Sequence, residues 1–272
     1  MIIDIIKVII LGIIQGITEW LPISSTGHMI LVDEFLKLEV SKEFLNVFLV
    51  VIQFGSILAV ITLFFKNLFP YGFNKDKEET KNTFYLWLII IIGCLPAAIV
   101  GFFFDDLITD LFFNSWTVAI TLIFYGILFI IIENYRKGKK PTVETTKQIT
   151  IKTALLIGLF QVLALIPGTS RSGATILGGL ILGLDRTIAA SYTFYLAVPV
   201  MAGASLLKVM KFGFNFTGVE MTLLVIGSIV AYIVSILAIR FLLHYIKKND
   251  FKIFGYYRII LGILIIIYFI FN

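Results

Sequence analysis

The sequence holds one cysteine, Cys94, set in an apolar run. Neither a disulfide framework nor a cysteine metal cluster can be built from it, and packing is its expected role. Charge is scarce: Asp, Glu, Lys and Arg are 14% of 272 residues against 59% hydrophobic, a balance that excludes an ordinary soluble domain. The formal net charge of +5 would raise nucleic acid in a soluble protein. Here Lys and Arg collect in short connections between apolar runs, where membrane topology accounts for them, and no nucleic-acid partner is implied. A cleavable-signal pattern is also lacking. Lys7 interrupts the first apolar stretch and Gln15, Glu19 and His28 follow it, so the first segment is expected to stay in the mature protein.

What the sequence has instead is long hydrophobic runs. Phe44 to Phe65 and Thr83 to Phe104 each run about 22 residues without a charge, enough to cross a hydrocarbon core of roughly 30 Å as helices. Further spans are predicted near Trp116 to Ile132, Thr187 to Leu207 and Met221 to Ile239. A last one, from about Phe254 to Phe271, tolerates Arg258 near its end. The fold class is therefore an all-α polytopic membrane protein with six transmembrane helices.

A gap-free shift of 146 residues lays Gly12, Gln15, Ser24, Gly27, Ile30 and Leu31 over Gly158, Gln161, Ser170, Gly173, Ile176 and Leu177, with Thr26 over Ser172. The matches cluster in two polar, Gly-containing turns inside apolar sequence, which reads as a duplication: repeat 1 over about 1–140 and repeat 2 over about 147–272 of a single membrane domain. Val8 to Thr18 and Trp20 to Val32 would rise only about 16 to 20 Å each. Each interrupted region thus reads as a re-entrant helical hairpin, with its turn lining protein or a water-filled cavity. One hairpin plus three spans per repeat makes the repeats inverted in topology.

Charge sets the orientation. Thirteen Lys and Arg follow the first, third and fifth spans, and four (Lys37, Lys42, Lys208 and Lys211) lie in the opposite connections. The loop expected around Asp105, Asp106 and Asp110 has no basic residue. The thirteen belong in the cytoplasm. That puts the first hairpin and both termini outside and brings the second hairpin in from the cytoplasm. Asp33-Glu34 and Asp185-Arg186 are expected to end the two hairpins, Lys75 to Lys81 to form a solvated loop, and Arg240 and His244 to act as interfacial anchors.

Glu19, His28 and Arg171 are ionisable groups in membrane sequence, where they are costly and normally face a cavity or one another. Inverted halves would bring Arg171 towards Glu19 and His28. Ser24, Ser25 and Thr26 precede one half-helix, and Ser170, Ser172 and Thr175 flank the start of the other. Helix N-termini with free N–H groups suit an anion, and the Arg171 fork matches phosphate geometry. Gly27 and Gly173 would permit close approach or unusual dihedrals. Ser25 and His28 supply the parts for nucleophilic catalysis, although His28 could equally satisfy hydrogen bonds in a polar turn. Glu19 could orient the imidazole, act as the base, or hold a divalent cation, with Gln15 one helical turn away as a carbonyl ligand.

Gln15-Gly16-Ile17-Thr18-Glu19 with the following Ser24-Ser25-Thr26-Gly27-His28, and Pro167-Gly168-Thr169-Ser170-Arg171-Ser172-Gly173-Ala174-Thr175, resemble the paired motifs of the undecaprenyl-diphosphate phosphatases, also called bacitracin-resistance proteins. The likeness covers essentially the whole chain, Gln53-Phe54-Gly55-Ser56 included. It implies hydrolysis of undecaprenyl diphosphate to the monophosphate carrier used in peptidoglycan synthesis, in a bacterial cell membrane; the outward-facing first hairpin predicts a pocket open to the exterior. Carried onto this chain, it implies a catalytic core of Glu19, Ser25, His28 and Arg171. Gln15, Ser24, Thr26, Ser170, Ser172 and Thr175 would surround the phosphates. It also implies a divalent cation, Mg2+ or Ca2+, on Glu19 and Gln15. Membrane lipid is the surrounding partner, and a homodimer is left open. The alternative class is a secondary transporter or flippase for an anionic or lipid-phosphate substrate, since broken helices at mid-membrane serve transporters as well.

Overall fold

Capping residues set where the apolar runs begin as helices. Ser41 Oγ accepts the N–H of Phe44, Asn114 Oδ1 that of Thr117 and Asp185 Oδ1 that of Thr187. Asp76 and Thr217 form reciprocal capping boxes with Glu79 and Glu220. The computed structural model describes residues 2–271 apart from 37, 39, 73, 74 and 214, and the side chains of 30, 33, 34, 35, 42 and 105 fall outside the described set. The expected stop at Asp33-Glu34 and the charges of Lys37 and Lys42 therefore lie outside the described residues. The helices are α1 (Ile2–Thr18), α2 (Ser25–Phe35), α3 (Lys42–Leu63), α4 (Phe65–Leu68), α5 (Lys77–Phe112), α6 (Ser115–Arg136), α7 (Ile151–Val162), α8 (Arg171–Ile181), α9 (Arg186–Phe212), α10 (Gly218–Ile246) and α11 (Lys252–Phe271). One isolated bridge, Val143 to Leu184, is the only β pairing among the described residues.

Six segments are long and apolar enough to cross a membrane: Glu43–Leu63, Lys77–Phe104, Ser115–Arg136, Arg186–Phe212, Gly218–Ile246 and Lys252–Phe271. They match the six expected spans, with the second to the sixth extended at one or both ends. Two expectations need correcting. The loop expected around Asp105, Asp106 and Asp110 is helical backbone, because α5 continues to Phe112. The stretch from Lys75 to Lys81 is only partly loop: α5 starts at Lys77, and Lys75 Nζ donates to the Phe69 carbonyl at 2.7 Å and to Thr83 Oγ1 at 2.8 Å. A mixed-sign segment reads as solvated in sequence, yet Glu78 and Glu79 in the first turn favour a helix N-terminus.

Without a hydrophobic driving force between helices in lipid, close packing relies on small residues. A Cβ on Gly16 would stand 2.9 Å from the Ala231 carbonyl, and one on Gly158 2.5 Å from that of Gly93, so α1 lies tightly on α10 and α7 on α5. Gly126 and Gly255 meet reciprocally, each Cβ position 2.7 Å from the other's carbonyl, where α6 crosses α11. At Gly55, in the Gln53 to Ser56 stretch, a side chain would strike the backbone of Ser228 on α10. Cys94 is buried, its Sγ 3.5 Å from the Leu196 carbonyl, as a packing residue would be. Large apolar side chains such as Phe102, Leu237 and Ile260 face outward.

Candidate active site

The two interruptions share one backbone solution. α1 gives way at Glu19 and α2 starts at Ser25; a short 3-10 turn follows α7 and α8 starts at Arg171. Ser24 and Ser170 are the described non-glycine residues with positive φ, 72° and 70°. Each caps the helix after it, its hydroxyl accepting from the N–H of Gly27 at 3.3 Å and of Gly173 at 3.1 Å. The unusual dihedrals expected at Gly27 and Gly173 fall instead on these serines and on Gly168, at φ 86°. Gly27 and Gly173 are needed for space: Cβ atoms there would lie 3.1 Å from Leu122 Cδ1 and 3.0 Å from Arg258 Nη1.

The turns meet at a charge pair. Arg171 Nη2 donates to Glu19 Oε1 at 3.0 Å, with side-chain exposures of 12% and 8%, so both charges are largely withdrawn from solvent. Gln15 Nε2 donates to Glu19 Oε2 at 3.0 Å, and Ser25 Oγ donates to the same oxygen at 3.3 Å. Arg171 Nη1 donates to the Thr193 carbonyl at 3.0 Å, while its Nε is buried without a partner. A buried donor left unused on a guanidinium is an available place for an anion. The Trp20 ring lies 5.7 Å from the guanidinium carbon.

The remaining expected residues fall on the flanks. Ser172 Oγ donates to the Leu21 carbonyl at 3.3 Å, a second link between the turns, and lies 3.1 Å from Ser170 Oγ. Thr175, fully buried, donates to the Arg171 carbonyl at 2.9 Å and accepts from Thr193 Oγ1 at 2.8 Å, which ties its hydroxyl to the helix. Thr26 is half-buried in the first turn of α2. His28 is not brought onto Ser25 or Glu19. Its Nδ1 donates to the Ser24 carbonyl at 2.7 Å, and in the neutral ring that leaves Nε2 to accept from the Tyr257 hydroxyl at 2.7 Å. Asp185 caps α9, its Oδ1 accepting the N–H of Thr187 at 2.7 Å. Arg186 pairs with buried Glu133, Nε to Oε1 at 2.9 Å. Arg240 and His244 are exposed near the end of α10.

Sequence reasoning missed Tyr257, Thr193 and Arg258. The first two are ordinary span residues in sequence. Arg258 carried the same signal as Arg171, an ionisable group in an apolar run, and is wholly buried behind the turns.

A divalent cation needs oxygen ligands. Among the described residues no group of three or more His, Cys, Asp or Glu could hold a metal, and Glu19 is the one carboxylate at the meeting of the turns. A cation at this place would draw Glu19 and the Gln15 carbonyl from the protein and its other ligands from diphosphate oxygens and water, and it would have to share Glu19 with Arg171, Gln15 Nε2 and Ser25.

Fold and site together define a multi-pass helical membrane protein whose two interrupted helices join at a buried ion pair flanked by capped helix N-termini. The chain belongs to the bacitracin resistance protein BacA family, whose model matches residues 8–264. It is similar over its full length to curated relatives. An undecaprenyl-diphosphatase of Desulfitobacterium hafniense is 59% identical over 98% of this chain and 96% of its own. An undecaprenyl-diphosphatase of Acetivibrio thermocellus is 58% identical over 98% of both chains, and one of Lactiplantibacillus plantarum is 51% identical over 98% of both.

Proposed function

We propose that this chain hydrolyses undecaprenyl diphosphate to undecaprenyl phosphate and inorganic phosphate in the bacterial cell membrane, and that bacitracin resistance follows from that activity. The observation that carries the reading is the single carboxylate of Glu19 gripped by Arg171 from one turn and by Ser25 from the other. Arg171, with its unused Nε, and the N–H groups opening α2 and α8 hold the terminal phosphoryl group and stabilise charge on it in the transition state. Ser25 Oγ attacks the terminal phosphorus while Glu19 Oε2, 3.3 Å away, takes its proton, and the bond to the bridging oxygen breaks to release the lipid monophosphate. Water then cleaves the phosphoserine. His28, bonded to the Ser24 carbonyl and to Tyr257, steadies the turn rather than moving Ser25's proton. A cation on Glu19 and Gln15 would neutralise diphosphate charge.

The same reading takes the two interrupted regions as re-entrant hairpins of inverted repeats. Supporting it are the equal φ at Ser24 and Ser170, the exchanged packing of α1 on α10 and α7 on α5, and the reciprocal Gly126–Gly255 crossing. The lysine and arginine distribution supports both termini outside and a pocket open to the exterior. Apolar surfaces between the spans suit the prenyl tail.

The test is phosphate release from undecaprenyl diphosphate by the detergent-purified protein, with and without added Mg2+ or Ca2+. Release that requires the cation is expected. A well-folded protein that releases none overturns the reading in favour of transport.

A further inference from the structure

Behind both turns lies a side chain that belongs to neither. Arg258 of α11, 0% exposed, donates through Nη2 to the carbonyls of Gly168 and Thr169 at 2.9 Å each. Its Nη1 donates to the Pro22 carbonyl at 3.2 Å, and its Nε to the Leu122 carbonyl at 3.5 Å. Three of these four acceptors are in the turns, so one guanidinium ties the two together. No carboxylate among the described residues pairs with it. The Tyr125 ring lies 5.7 Å away, and Gly173 leaves the space that Nη1 fills.

Peptide planarity gives this anchor a consequence. In a trans peptide unit the C=O and N–H point in opposite directions, and no described peptide bond is cis. Holding the Gly168, Thr169 and Pro22 carbonyls on the Arg258 side turns the N–H groups of Thr169, Ser170 and Ile23 to the other side. Thr169 N–H is taken by the Ile166 carbonyl at 3.2 Å and Ile23 N–H by that of Leu21 at 2.7 Å. The Ser170 N–H takes no part in the turn's backbone bonds. Ser170 is the cap of α8, next in the chain to Arg171.

We propose that Arg258 is a positioning residue for the diphosphate: it aims the Ser170 N–H and the first amides of α8 at the anion, and its charge, held by carbonyl dipoles and the Tyr125 ring with no carboxylate partner among the described residues, is balanced when the diphosphate binds. This rests on the reading that the two turns hold a diphosphate. A planar fork is required because the acceptors lie on three separate stretches of chain, at Pro22, Leu122 and Gly168-Thr169; a lysine ammonium keeps the charge but not that span.

The experiment compares purified wild type, Arg258→Lys and Arg258→Gln. It measures kcat and KM for phosphate release and, separately, the affinity for a methylene-bridged prenyl diphosphonate. Both variants should lose kcat by about 10-fold to 100-fold, as expected for misplaced donors. Lysine should fail to rescue although helicity is unchanged. Wild-type kcat and diphosphonate affinity in a folded Arg258→Lys would overturn the proposal. If wild type binds the diphosphonate but releases no phosphate, hydrolysis fails as a reading, and weaker diphosphonate binding by Arg258→Lys still supports the positioning role. If neither variant folds, hydrogen exchange on wild type decides: the diphosphonate should protect the amides of 170 to 172, and unchanged exchange there would overturn the proposal.

Discussion

Ser24 and Ser170, 146 positions apart, share a positive φ and a capping role, but the residue that follows is Ser25 in the first turn and Arg171 in the second. These equivalent positions grip the two oxygens of one carboxylate, Ser25 on Oε2 and Arg171 on Oε1 of Glu19. The other equivalences are as unequal. Glu19 corresponds to Leu165 and His28 to Ala174. The two turns share a backbone solution but divide the chemistry: the first carries Ser25, Glu19 and His28, and the second carries Arg171. Gln15 and Gln161 show the same split. Gln15 supports Glu19, whereas Gln161 reaches only the Gly93 carbonyl, at 3.5 Å, with its Oε1 buried and unpaired.

The comparison can be broken most severely at the paired positions. Ser25→Ala removes the proposed nucleophile and should lower kcat by about 10⁴-fold or more, measured as phosphate release. Activity near wild type would replace the serine with directly activated water. Arg171→Lys keeps the second turn's charge but loses the fork that reaches both Glu19 and the Thr193 carbonyl, and should cost about 10²-fold in kcat/KM. His28→Gln loses a ring whose two nitrogens already serve Ser24 and Tyr257, so a drop of about 10-fold is expected, with Tyr257→Phe producing a similar one. A far larger loss for His28→Gln alone would return the proton-transfer role to the imidazole. The smallest effect is expected from Ser170→Gly, which relieves positive φ while deleting a helix cap. The two changes oppose each other, and thermal unfolding should register a net shift within about 1 kcal/mol.

Much of this arrangement was legible in the sequence, for physical reasons that also mark where legibility ended. The spans stand out because charge-free runs of membrane length are rare in soluble chains, and the structure keeps all six with shifted ends. Glu19 and Arg171 stood out because isolated ionisable groups are costly in lipid, and they do pair. The continuation of α5 past Phe104 was hidden because clustered Asp residues resemble a loop. Of the two uses open to Gly27 and Gly173, close approach is the one they serve, while the positive φ falls on serines whose hydroxyls cap the next helix. Tyr257 and Thr193 were beyond reach, since their partners lie 229 and 22 residues away and nothing local marks them. Arg258 was within reach and was passed over as an end-of-span residue, although the cost that singled out Arg171 applies to it with greater force, at zero exposure.

The central claim is that the two turns act as one site, and a double-mutant cycle on Glu19→Gln and Arg171→Gln tests it most directly. With kcat/KM for phosphate release as the readout, the account predicts that each single change is severe and that the double mutant is no worse than the weaker single mutant by more than about 3-fold, because both remove the same pair. Losses that multiply in the double mutant would show two independent contributions and contradict the shared site.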